Sequence, residues 1–219
     1  MQKNTILARL RKQLGGGFLL LLALSGCATL ANPSDERMAL LNRSRLLLDA
    51  GQIESARRLT QETIARFGPS PFLLNQMALI RDREGQPEMA FRILTHAHRL
   101  YPNATVLTLN LADMELVRHE PGKARETLRP ILDRKSWPNG FRTLMGRIDL
   151  DSGNLPEAHL FLHEALVRHP DNPLLLANMG LLHSRMGLRK KAREEFRMAA
   201  ARSQNPRLKS RLESLLSRN

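Results

Sequence analysis

The chain has 219 residues, enough for one domain or a short repeat array, and carries a formal charge of +13. Aromatic residues make up only 4% of it, so a core has to be built from Leu, Ala and Met, and the scarcity of Val, Ile and Tyr excludes a sheet protein in favour of an all-α one. Lys3, Arg9, Arg11 and Lys12 supply four of the positive charges and the chain from Cys27 onward keeps +9, a field that attracts nucleic acid, anionic lipid or an acidic protein face without choosing among them.

Residues 1–26 join those four cations to an apolar run over 15–23 and then to Leu24-Ser25-Gly26-Cys27. The run is too short for a mature transmembrane helix, which needs roughly 20 apolar residues, and the layout is that of a signal peptide that is removed. Leu24-Ser25-Gly26-Cys27 resembles the bacterial lipobox, in which two small residues let the peptidase reach the bond before a diacylglyceryl cysteine. Cys27 is the only cysteine, so no disulfide competes for it. The resemblance implies acyl chains on Cys27, the one non-protein group expected, and at about 0.8 kcal/mol per buried CH₂ an effectively permanent anchor. Ala28 stands where an aspartate favours inner-membrane retention in the enterobacterial pattern, which implies the outer membrane, facing the periplasm. Residues 27–35 read as a lipidated tether, small, polar and proline-containing, with folded structure expected from residue 36.

Beyond the tether, Ala56, Ala90, Ala124, Ala158 and Ala192 recur every 34 residues. Gly51, Gly85, Gly153 and Gly187 stand five residues ahead of four of them, where a left-handed cap ends one helix before the next begins. Large residues follow the alanines by four, at Leu94, Leu128, Leu162 and Phe196, on the same helical face. Large-then-small pairs recur at Met77-Ala78, Leu111-Ala112, Met145-Gly146 and Met179-Gly180, and prolines close units at Pro102 and Pro170. These features resemble the tetratricopeptide repeat (TPR) family. The resemblance implies an all-α, right-handed solenoid over 36–205, with five helix-turn-helix units near 37–70, 71–104, 105–138, 139–172 and 173–205. Residues 206–219, with Leu208, Leu212, Leu215 and Leu216 on one stripe, are expected to form a capping helix. Three departures stand out: Arg43-Ser44 in place of the first large-small pair, His119 in place of a turn glycine, and Pro130 inside a second helix, where a local bend is expected.

In TPR proteins the first helix of each unit lines a concave groove through unit positions two, five, nine, twelve and thirteen. Carried onto this sequence, the groove candidates are Phe72, Asn75, Leu79, Leu109, Asp113, Leu116, Arg147, Leu181 and Arg185. Such a mixed, appreciably apolar stripe suits an extended peptide or a partner helix, although leucines there also serve packing between helices. Asn42, Asn110 and Asn178 share unit position six, the spacing of a backbone-binding ladder or of a residue common in the family.

Other chemistry is sparse. His159 and His163 stand four apart on a predicted helix without a third ligand and outside a His-Glu-x-x-His motif, so a solvated face is the expectation and no metal site. There is no phosphate loop, nucleophile elbow or carboxylate cluster, which argues against an enzyme. The arginines lack interleaved aromatics, which argues against nucleic acid. The layout is similar to that of small TPR lipoproteins of pilus systems, the Flp/Tad pilus-assembly lipoprotein and the pilotins of type IV pili. It implies a non-catalytic assembly factor held to the membrane by its lipid, with a secretin or pilus subunit as protein partner. The competing expectation is a periplasmic adaptor that recruits peptidoglycan or polysaccharide enzymes.

Overall fold

The structure, a computed structural model, describes residues 32–218. Among them stand eleven helices and no strand: α1 (Pro33–Asp49), α2 (Ile53–Phe67), α3 (Pro71–Arg83), α4 (Pro87–Leu100), α5 (Thr105–Val117), α6 (Pro121–Leu132), α7 (Phe141–Ser152), α8 (Leu155–Arg168), α9 (Pro173–Arg185), α10 (Arg189–Arg202) and α11 (Pro206–Arg218). The signal peptide, Cys27 and residues 28–31 of the tether lie outside the described residues.

Local chemistry sets the helix starts. Pro71 and Pro173 open α3 and α9, where a missing N–H costs nothing, and Ser70 and Asn172 accept from the N–H groups of Leu73 and Leu174 at 3.3 and 2.9 Å. Asn32 caps α1 in the same way, accepting from Ser34 N at 3.2 Å, so helix begins at Pro33, inside the stretch read as tether.

Each unit is a pair of packed helices, and α11 closes the stack against α10. The first helices α1, α3, α5, α7 and α9 also touch their successors, whereas no comparable contact joins successive second helices. The array therefore curves with the first helices inside and the second helices outside.

The close approach within each pair rests on small residues. Ala56, Ala90, Ala124, Ala158 and Ala192 are all 0% exposed. On the facing helix the small member of each pair is Ala78, Ala112, Gly146 or Gly180, the first two buried as well. A methyl group added at Gly180 would fall 2.4 Å from Cε1 of Phe196, and one at Gly146 would fall 2.6 Å from Cγ of Leu162. The first unit keeps the rule with a polar residue. Ser44 is fully buried at the small position, its hydroxyl donating to Ala56 O at 3.1 Å, lying 2.7 Å from Thr60 Oγ1 and accepting from Gln76 Nε2 at 3.2 Å. Each such bond is worth about 1 kcal/mol net, so the polar seam replaces the apolar one without leaving an orphaned hydroxyl.

The third unit absorbs its departures locally. His119 takes the turn position with φ 60°, where the glycines of the other units sit between 75° and 81°; side chains with a Cβ pay for that region. Pro130 falls in the last turn of α6, which ends two residues later and is 12 residues long against 14 for α4, α8 and α10. Pro130 thus accompanies an early helix end, followed by the long turn 133–140. Trp137 secures that turn: its Nε1 donates to Leu132 O at 3.1 Å, and its ring lies 5.1 Å from Phe141 and 5.8 Å from Phe161.

A second pattern occupies unit position eleven, where TPR units favour a packing aromatic. Here Glu115, Asp149 and His183 fill it, buried at 7%, 0% and 1% exposure. Asp149 pairs with Arg125 from the preceding second helix, and His183 Nδ1 lies 2.6 Å from Glu195 Oε2. Glu115 has the weakest support: Thr127 bonds its carboxyl, Oε2 has no partner, and burial pushes its pKa up.

Two stability outcomes follow. Gly180→Ala is expected to cost about 1–3 kcal/mol in chemical denaturation through overpacking against Phe196. For Glu115 the sign runs as for any acid whose folded pKa is raised: its ionisation takes stability away as pH climbs above the unfolded carboxylate value of about 4.3. Glu115→Gln is therefore expected to raise Tm at neutral pH, with the gain over wild type vanishing below about pH 4.

Candidate partner-binding groove

The inner face of the curve is the candidate site, and helical phase sorts its residues. At 100° per residue, unit positions two, nine and thirteen share one narrow sector, while positions five and twelve lie roughly 60–80° round toward the helix behind. Exposure follows this phase. Phe72, Leu79, Val117 and Leu174 are 52%, 41%, 62% and 47% exposed, whereas Leu41, Leu48, Leu116 and Leu150 are all buried. Leu116, at 2% exposure, packs with Leu128, Phe141 and Met145 in the core and so drops out of the groove lining. Leu109 is half-buried against the same cluster, and Asn75 is buried at 9%.

The remaining candidates form cross-repeat bonds along the inner face. Asn110 donates from Nδ2 to Asn75 Oδ1, joining α5 to α3. Arg147 pairs with Asp113, joining α7 to α5, and Arg185 donates to Leu150 O while its second nitrogen stands 3.5 Å from Asp151, joining α9 to α7. The sixth-position asparagines do not form a uniform ladder: Asn42 is exposed, Asn110 is committed to Asn75, and Asn178 is 6% exposed with an unpartnered Nδ2.

Three clefts open along this face. The first, about 530 Å³ and nearly all apolar, lies between α3 and α5 around Phe72, Val106 and Leu109. The second, about 140 Å³, lies beside it around Leu79, Asn110, Asp113 and Val117. The third, about 220 Å³, is bounded by α7, α9 and α11 and brings Arg147, Asp151, Leu181 and Arg211 together. The groove thus runs from an apolar half on α3 and α5 to a charged half on α7, α9 and α11. The contribution of α11, through Arg211 and Leu215, escaped the repeat-based reading because the capping helix lies outside the 34-residue register.

Elsewhere the histidines converge more than their spacing suggested. The rings of His159 and His163 stack at 5.7 Å, and His183 meets His159 edge-on at 6.1 Å. Burial, then the nearby His163, His183 and Lys191, hold the His159 pKa below its ordinary value. His183 is already engaged with Glu195, and among the described residues no three metal-capable side chains are arranged to hold an ion. No helix among them is long and apolar enough to cross a membrane.

A curved stack of 34-residue helical hairpins closed by a capping helix is a TPR solenoid. No family model matches the sequence and no curated protein does, but solved structures share the fold. PilF of Pseudomonas aeruginosa superposes with a TM-score of 0.64 at 17% identity, covering 84% of this chain and 86% of that one. PilW, described as a widely conserved type IV pilus biogenesis factor, gives 0.64 at 14% identity over 86% of this chain and 94% of its own. MamA from Desulfovibrio magneticus RS-1 gives 0.58 at 20% identity over 78% and 98%.

The groove's charges sit where a partner can reach them. Arg147 and Asp113 keep 29% and 47% of their side-chain surface exposed, the regime in which an ion pair contributes about 1 kcal/mol or less. A double-mutant cycle of Arg147→Met and Asp113→Asn, read by thermal denaturation, is expected to give a coupling energy no larger than about 1 kcal/mol.

Proposed function

We propose that this chain is a lipid-anchored, non-catalytic scaffold of the bacterial envelope, whose groove holds a pilus subunit or a secretin-like channel protein during assembly. The observation that carries the reading is the row of exposed inner-face side chains, Phe72, Leu79 and Val117 on α3 and α5, continued by Asp113, Arg147, Asp151 and Arg185. Apolar side chains on a rigid concave wall bind an extended segment or a helix through many small contacts, and the charges at one end fix its direction. The shared fold with PilF and with the pilus biogenesis factor PilW supports the choice of partner class. The lipobox-like Leu24-Ser25-Gly26-Cys27 supports acylation at Cys27 and a position on the periplasmic leaflet of the outer membrane, with Ala28 following the cysteine.

The test is crosslinking in the native membrane followed by purification and identification of the captured proteins, with wild type beside a Phe72→Ala, Leu79→Ala variant. Both side chains are exposed, so the variant is expected to keep its helicity. A pilus or secretin protein captured by wild type and lost from the folded variant is the expected result. Cell-wall synthases or hydrolases in its place would overturn the pilus assignment in favour of an enzyme-recruiting adaptor. Mass spectrometry of the purified amino terminus reads the lipid separately: an unmodified Cys27 would sink the anchor.

A further inference from the structure

The positive charge is not spread along the solenoid. Residues 189–218 hold ten cations and three acids, so this last stretch carries +7 of the +9 found from Cys27 onward. Much of it lies on α10 in positions that oppose helix stability. Arg189, Arg193 and Arg197 are spaced by four, a like-charge arrangement that weakens a helix, and all three are exposed together with Lys190. No acidic residue stands in the first turn of α10 to balance Arg189, Lys190 and Lys191 against the positive end of the helix dipole. Several arginines of the array find carboxylates, as Arg57, Arg66, Arg118, Arg125 and Arg142 do, and so does Arg202 at the far end of α10. Among the described residues none of Arg189, Lys190, Arg193 and Arg197 is paired with one.

This face belongs to the outer layer, away from the groove, and the three clefts described above open on the inner side. Exposed apolar side chains adjoin it in the turn before α10, Met186 and Leu188 at 45% and 47% exposure. The one aromatic ring of α10, that of Phe196, is fully buried, so the helix offers no exposed aromatic platform for a nucleic-acid base. Cations on an open helix face beside protruding apolar side chains match the boundary between phosphate headgroups and acyl chains, where arginine binds phosphate bidentately.

We propose that the outer face of α10, with Met186 and Leu188, docks the C-terminal end of the solenoid on an anionic phospholipid bilayer. This surface is independent of the groove and of acylation at Cys27. Docking it on the bilayer leaves the inner face open to a protein partner.

The full chain is reconstituted into phosphatidylcholine vesicles, with or without about one-third phosphatidylglycerol, and backbone hydrogen exchange is followed along the chain. In anionic vesicles exchange over residues 186–200 is expected to slow by roughly tenfold or more, since each basic residue near such a surface contributes about fivefold in affinity. The slowing is absent from neutral vesicles, absent from α2 and reversed at about 1 M salt, where the screening length falls to roughly 3 Å. Arg189→Gln, Arg193→Gln and Arg197→Gln together relieve the like-charge stripe, so the triple variant stays folded by circular dichroism while the protection disappears. Equal exchange over residues 186–200 in both kinds of vesicle would overturn the proposal. So would protection by soluble polyglutamate without protection by anionic vesicles, which would assign the face to an acidic protein instead.

Discussion

Everything in this molecule depends on how closely two helices can approach at one point in each hairpin. The buried alanine of the second helix and the small residue of the first let the backbones come together, and the large residue four positions later then fills the space that remains. The room is so limited that at Gly180 even a methyl group collides with Phe196. Because the same contact recurs every 34 residues, the rotation between neighbouring hairpins is repeated as well, and a regular rotation turns a row of hairpins into a curve with an inner face. The groove is thus a geometric consequence of packing on the far side of the same helices. Its shape is fixed before any partner arrives, which limits the ordering entropy that binding has to offset.

The buried polar residues at unit position eleven are the price of departing from an aromatic there. An aromatic side chain would fill the space with dispersion contacts alone, whereas Asp149 and His183 each require a partner from a second helix, Arg125 and Glu195. Leaving Asp149 or His183 buried without its partner costs about 1–3 kcal/mol, more than the roughly 1 kcal/mol that such a bond adds net. That asymmetry makes these pairs devices of register: they penalise a slipped stack more than they stabilise the correct one. Glu115, a buried carboxyl whose bond is to Thr127 and not to a cation, is the weak joint of the series and belongs to the same unit as His119 and Pro130.

The repeat register, the helix order and the buried alanines were legible in the sequence because they arise from spacing, which a linear text preserves. Pro71, Thr105 and Pro173 open units of the 34-residue register and are the first residues of α3, α5 and α9. Ser44 is harder to place, since a serine at a small-residue position looks like a fault until its hydroxyl is seen to donate to Ala56 O and accept from Gln76. The groove was legible only in part. Positions five and twelve came with the family pattern, but helical phase turns Leu116 into the core, a distinction available from 100° arithmetic alone. The contribution of α11 and the approach of His183 to His159 were not available, because they depend on how elements outside one register meet in space.

In a solenoid each unit contacts only its neighbours, so stability and surface chemistry are set locally along the array. That independence lets the two faces carry different chemistry without compromise. On the inner face charges are cross-linked from unit to unit, Asp113 to Arg147 and Asp151 to Arg185, so the charged half stays close to neutral and its ions are held in place. On the outer face of α10 the cations have no such partners and concentrate at one end of the chain. A partner in the groove meets fixed, directional groups that reward a particular sequence, whereas a surface meeting α10 encounters a diffuse field that rewards only negative charge. Discrimination among partners therefore falls to the inner face, and orientation of the whole array falls to the outer one.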